Sequence, residues 1–205
     1  MTETSGQERN ESVSVRRIGR IAVFCGSNVG QGEAYIHAAA ALGRELAARE
    51  IGLVFGGTGK GLMAVLADAL LDAGGDAHGV ITQRLFDRGQ LHARLTAHEV
   101  AAAMGVRKAR MLELADACIA LPGGIGTIEE MMEAWTLNQL GDIDKPVGLL
   151  DVEGFFTPFL AFIDRMVERG FLPAPHRTSI AVATDPGALI DALAAAAPIT
   201  VPKWM

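Results

Sequence analysis

From Arg20 onward, short and nearly unbroken apolar runs alternate with longer stretches in which apolar residues recur at helical spacing. The runs "RIAVFCGS", "IGLVFGG", "AHGVIT", "ACIALPGG", "PVGLLD" and "SIAVAT" read as strands. Helix patterns lie between them, over about 33–50, 61–74, 105–115, 127–140, 155–169 and 186–197. A strand covered by helices on both sides is apolar throughout rather than alternating. This succession therefore predicts a parallel sheet with helices on both faces. The fold class expected is α/β: a Rossmann-like, doubly wound parallel sheet forming one domain over residues 18–205. The opening "MTETSGQERNESVSVRR" is polar and has no apolar segment, so residues 1–17 are expected to be a disordered N-terminal leader and not a secretory signal.

In doubly wound sheets, ligands collect beyond the carboxyl ends of the strands. Three of these ends are rich in glycine: "CGSN" at 25–28, "GGTGKG" at 56–61 and "PGGIGT" at 122–127. None matches G-x-G-x-x-G. "GGTGKG" brings its last glycine one residue early, and "GGIGTIE" has Ile128 and Glu129 where a third glycine would fall. A Walker A loop needs Lys followed by Ser or Thr, yet Lys60 precedes Gly61. The usual dinucleotide and ATP signatures are therefore missing. What remains is a set of bare backbone donors, with a helix expected to begin near Thr127 and to point its free amides at the turn. Phosphate is the natural occupant.

Two charged groups near that turn admit two explanations each. Thr127 and Glu130 match a capping box, in which the carboxylate only closes the helix start. Ile128, Met131, Met132 and Trp135 share one helical face, expected to be buried, which sets Glu130 nearly opposite. There a carboxylate serves chemistry only if a loop or a second subunit covers it. Arg107, Lys108 and Arg110, in "MGVRKARMLELADA", form either a solvated basic face or a cationic wall. Because a helix of this fold starts near the carboxyl edge of the sheet, Arg107 is within reach of a ligand held at 123–127.

Composition narrows the field. Half of the 205 residues are hydrophobic, enough for one substantial core. The net charge is −6 with no basic block, which argues against nucleic-acid binding while leaving room for a small anionic ligand. No apolar run approaches the roughly 20 residues of a membrane span. Cys25 and Cys118 sit inside apolar runs and read as buried hydrophobes in a reducing, cytoplasmic setting. The histidines (37, 78, 92, 98 and 176) are scattered, and no cluster suggests a metal.

The segment "PGGIGTIEE", Pro122 to Glu130, carries in full the marker P-G-G-x-G-T-x-x-E. With "FCGSN", "GLVFGGTGKGLM", "VRKARM", "LADACIALPGG", "EAWTLNQLG", "DKPVGLLD" and "GFL", it resembles the LOG (Lonely Guy) family of cytokinin riboside 5′-monophosphate phosphoribohydrolases. The likeness runs through nearly the whole chain from residue 20. It implies a Rossmann-like homodimer that cleaves the N-glycosidic bond of an adenine or cytokinin nucleoside 5′-monophosphate, without a cofactor or metal, to free base and ribose 5-phosphate. It further implies that Arg107 and Glu130 are the catalytic pair. Substrate and phosphate contacts are expected from Lys108, Gly123, Gly124, Ile125, Gly126, Thr127, Glu129 and Thr136, and from Ser27, Gly56 and Gly57 at the ends of the first two strands. The sequence departs from the family pattern at Gly105, Val106, Thr58 and Ala64, and Gln90 is the nearest counterpart of a usual glutamate. The resemblance places these altered loops beside the sugar or base.

Such a reaction passes through an oxocarbenium-like state, for which a carboxylate such as Glu130 is the natural stabiliser and water activator. Arg107 stays charged and suits charge stabilisation better than proton donation. Two other readings remain at this point. The label "lysine decarboxylase" often given to such sequences would require pyridoxal phosphate on one of Lys60, Lys108, Lys145 or Lys203. A non-catalytic nucleotide or molybdenum-cofactor carrier could also use the same scaffold.

Overall fold

All six apolar runs are strands in the computed structural model, which describes residues 16–198. The strands are β1 (Arg20–Phe24), β2 (Gly52–Phe55), β3 (Ala77–Thr82), β4 (Ala97–Ala101), β5 (Ala117–Ala120), β6 (Val147–Leu150) and β7 (Ile180–Ala183). They pair in the order β4-β3-β2-β1-β5-β6-β7, every neighbour parallel. The apolar pattern did not mark β4. Its sequence, "AHEVA", belongs to an edge strand in which only Ala101 is buried, so water rather than a helix decides its composition.

The helices are α1 (Glu33–Ala48), α2 (Gly61–Asp72), α3 (Gln83–Phe86), α4 (Met104–Leu114), α5 (Ile125–Leu140), α6 (Thr157–Glu168), α7 (Ala174–Thr178) and α8 (Pro186–Ala195). The two shortest, α3 and α7, are too brief to show a period in the sequence. Successive residues of β1 explain why its strand is apolar in both registers. Ile21 and Val23 join Leu42, Leu66 and Leu189 of α1, α2 and α8 on one face of the sheet. Ala22 and Phe24 join Met111, Met131 and Ile163 of α4, α5 and α6 on the other. Contact between α1 and α2 is tight at Gly43, where a Cβ would lie 2.5 Å from the Leu66 carbonyl oxygen.

Strand order reverses at β1, which has β2 on one side and β5 on the other. The two strands stay joined just past their ends, through Leu121 N–H to the Phe24 carbonyl (2.9 Å) and Gly26 N–H to the Pro122 carbonyl (3.1 Å). Beyond that their loops part, which opens a crevice where this topology binds ligands. The expected leader falls mostly on residues 1–15, outside those described. Near its end, Arg16 donates its backbone N–H to the Ala194 carbonyl and its guanidinium to the Asp144 carboxylate at 2.7 Å. No helix among the described residues is long and apolar enough to cross a membrane.

Candidate active site

The crevice is a cleft of about 330 Å³ at the switch point. Its walls come from the end of β1 (Cys25, Ser27), the β2–α2 loop and the start of α2 (Gly56, Met63), α4 (Met104, Arg107), and α5 with its approach (Gly124, Ile125, Gly126, Thr127, Glu130).

Helix α5 begins earlier than the capping pattern predicts. Gly124 is the N-cap and Ile125 the first helical residue, and Ile128 N–H makes the first internal bond, to Gly124. Thr127 therefore lies within the first turn, only 4% exposed, instead of at the cap. No side chain caps the helix start. Two features of the turn favour the early start. Glycines at 124 and 126 impose no side-chain demand on it. Bare Gly123 also makes room for the Thr127 hydroxyl, whose oxygen would lie 2.1 Å from a Cβ there. The free amides of Ile125, Gly126 and Thr127 thus stand at the positive end of a 16-residue helix that opens on the cleft.

Glu130 does not turn back to the helix start. Its carboxylate takes a hydrogen bond from Arg107 Nη1 at 2.7 Å. The expected buried face of α5 is also rotated. The fully buried residues are Thr127, Met131, Ala134 and Trp135, whereas Ile128 and Met132 are only partly covered. Glu130 is one turn from both Thr127 and Ala134, so it flanks the buried side rather than opposing it. Its side chain is 14% exposed.

Arg107 is not part of a solvated basic face. It precedes buried Met111 by four residues, so it lies on the inward side of α4, and it is 7% exposed. Its Nε donates to the Val80 carbonyl at 2.8 Å, and Nη1 also contacts the Met104 sulfur at 3.3 Å. Lys108, next in sequence, turns away to Glu129 and to Glu133 (2.8 Å). Burial alone would pull its ammonium down, but the hydrogen bonds it donates to these two carboxylates outweigh it and leave the pKa raised.

The electrostatics separate the groups that can react from those that cannot. Burial pushes the Glu130 carboxyl above its ordinary value, and the Arg107 charge and hydrogen bond reduce that effect without cancelling it. Cys25, under the cleft, is held neutral by burial and secondarily by the Glu130 charge, so it is no nucleophile. Burial also pushes the Cys118 thiol up, to about 12.

Of the residues expected at the site, Ser27, Gly56, Arg107, Gly124, Ile125, Gly126, Thr127 and Glu130 converge on the cleft. Gly123 lines a smaller neighbouring cavity of about 190 Å³ with Tyr35, Leu62 and Phe155, which shares Ser27 and Gly124 with the cleft. Gly57, Lys108, Glu129 and Thr136 lie outside the lining of both. Sequence reasoning did not single out Met63, Met104 or the Val80 carbonyl. Met104 could have been found from its one-turn spacing to Arg107, but a backbone carbonyl carries no side-chain signal.

Residues 63–193 match the family model described as possible lysine decarboxylase. The chain is 45% identical over 171 residues to the cytokinin riboside 5′-monophosphate phosphoribohydrolase LOG4 of Arabidopsis thaliana, spanning 83% of this chain and 80% of that protein. It is 42% identical over 190 residues to LOG3 of the same plant, a cytokinin riboside 5′-monophosphate phosphoribohydrolase, spanning 93% and 88%. The chain belongs to the LOG family. Among solved structures, the molybdenum cofactor carrier protein of Chlamydomonas reinhardtii superposes with a TM-score of 0.64 at 22% identity, over 85% of this chain and 95% of that one. That likeness is one of fold.

Two of the described lysines of this LOG-family chain, Lys108 and Lys145, do not suit a Schiff base, which needs a neutral, available amine. Lys108 is tied to two carboxylates. The Lys145 ammonium caps the end of α4 through the carbonyls of Leu112 and Ala115. Lys60 is exposed at the start of α2, and Lys203 lies outside the described residues. The four departures from the family pattern also fall away from the cleft lining. Gly105 and Val106 are exposed on the first turn of α4, while Thr58 is buried against Met63, 3.4 Å from its sulfur.

Proposed function

We propose that this chain is a phosphoribohydrolase that releases the base from an adenine or cytokinin nucleoside 5′-monophosphate. One observation carries the reading: a buried Arg107–Glu130 pair faces the uncapped start of α5 across a single cleft. The 5′-phosphate docks on the amides of Ile125, Gly126 and Thr127, where the helix dipole favours an anion. The sugar then lies towards Glu130. As the bond from the anomeric carbon to the base nitrogen breaks, positive charge grows on the ribose and the Glu130 carboxylate stabilises it. Water adds its oxygen to that carbon and gives up its proton to Glu130, and the departing base takes up a proton. The balance is nucleotide plus water to base plus ribose 5-phosphate. Arg107 favours the ionised form of Glu130 against its burial and supplies fixed positive charge beside the cleft.

We further propose that the working form is a cytoplasmic homodimer. Exposed Met104 and Ile125 (90% exposed) line the cleft, Val106 is exposed on the same turn of α4 as Met104, and a second copy would cover them. Both cysteines are free and buried, in keeping with a reducing compartment. A carrier reading rests only on likeness of fold, and a pure binder has no use for a carboxylate beside an anion. Incubation with AMP and with isopentenyladenosine monophosphate, followed by chromatography, is the test. Equimolar base and ribose 5-phosphate are expected, whereas tight binding without products would make the chain a carrier.

A further inference from the structure

We propose that Gly56 is a positioning residue whose missing side chain seats the Arg107 guanidinium and so fixes the geometry of the Arg107–Glu130 pair. A Cβ on Gly56 would lie 2.2 Å from Arg107 Nη2, 3.4 Å from its Cζ and 3.1 Å from the Met63 sulfur. The guanidinium has little freedom to retreat. Its Nε is bound to the Val80 carbonyl at 2.8 Å and its Nη1 to Glu130 at 2.7 Å. A planar fork held at two corners has its third corner fixed as well. Yielding to a methyl group means tilting that plane, which lengthens both bonds because they share it.

The backbone at Gly56 does not itself call for glycine. Its neighbour Gly57 has φ +71°, a conformation that side chains rarely adopt, whereas Gly56 is not among the residues with positive φ. Adjacent glycines thus serve different needs, the second for the turn and the first for the arginine. Gly56→Ala therefore perturbs the guanidinium without straining the main chain.

The catalytic consequence rests on the phosphoribohydrolase reading, and the seat itself does not. The experiment compares Gly56→Ala in the parent and in an Arg107→Lys background, because lysine has no third corner to collide. In the parent, kcat is expected to fall about 10- to 100-fold with KM within about threefold, as for a misplaced catalytic group. In the Arg107→Lys background the same change is expected to cost less than about twofold, a strongly non-additive cycle. The second readout needs no activity. The Arg107 Nε–H resonance, assigned by its loss in Arg107→Lys, should exchange slowly in the parent and fast in Gly56→Ala. An unchanged kcat, equal losses in both backgrounds, or an unchanged Nε–H signal each overturns the proposal. If no nucleoside monophosphate is cleaved by the parent, the functional reading fails while the Nε–H comparison still decides the seat.

Discussion

Arg107 and Arg110 stand one turn apart on α4, and each grips a carboxylate from another element. Arg110 donates to Glu99 of β4 at 2.8 Å and to Glu113 at 3.0 Å. Arg107 donates to Glu130 of α5 at 2.7 Å. The two carboxylates nevertheless respond in opposite directions. The Arg110 hydrogen bond holds Glu99 below its ordinary range, because desolvation at this more exposed carboxylate opposes the bond without outweighing it. Glu130 is raised, because burial there exceeds what Arg107 returns. An ion pair by itself therefore says little about chemistry. A carboxylate kept partly against its burial, beside unclaimed helix amides and an open cleft, says a good deal more.

Breaking the inner pair at its carboxylate should have the largest effect. Glu130→Gln keeps the shape and an acceptor for Arg107 while removing the charge. Base release is expected to fall by about 10²- to 10⁴-fold, with nucleotide binding nearly unchanged by calorimetry. Turnover at the parent rate would remove Glu130 from the mechanism.

Next in size is Arg107→Met, read through pH. Glu130 must be ionised to act, so activity is lost as pH falls through its raised pKa. The acid limb of kcat/KM should therefore lie above the ordinary carboxylate range. The groups facing Glu130 are Arg107, Lys108, Glu129 and Cys25, and Arg107 is the largest of the influences that lower its pKa. Its removal should move the limb to higher pH, beyond any loss in the plateau rate. A limb that stays in place, or moves to lower pH, would contradict this role.

The sequence made the outer architecture legible because β1, β2, β3, β5, β6 and β7 are covered on at least one face by helices and carry the apolar runs that this demands. β4 escaped because an edge strand such as "AHEVA" need not be apolar. The turn after β5 was legible from its glycine spacing, but its helix start was not. Thr127 and Glu130 satisfy a capping rule locally, while the buried cation across the cleft claims Glu130. Capping is a contest between a nearby amide and a distant charge, and only the three-dimensional arrangement brings the distant one into play. Arg107 shows the same limit from the other side. "VRKAR" contains Arg107, Lys108 and Arg110, and their different fates follow from which side of α4 faces Met111, Glu129 or Glu99.

The smallest effect should come from the outer pair. Arg110 is 40% exposed, and its bonds to Glu99 and Glu113 compete with water and salt. Arg110→Ala is expected to leave kcat and KM within about twofold and the acid limb in place, because nothing it touches lines the cleft. Its cost should instead appear at the edge of the sheet, where Glu99 belongs to β4, which pairs only with β3. Amide exchange should quicken at Ala97–Ala101 relative to β1, with a melting temperature lower by no more than a few degrees. The same substitution should matter less at high salt than at low salt. A rate loss approaching that of Arg107→Met would mean that both arginines serve the reaction, and the distinction drawn from burial and from the cleft lining would fail.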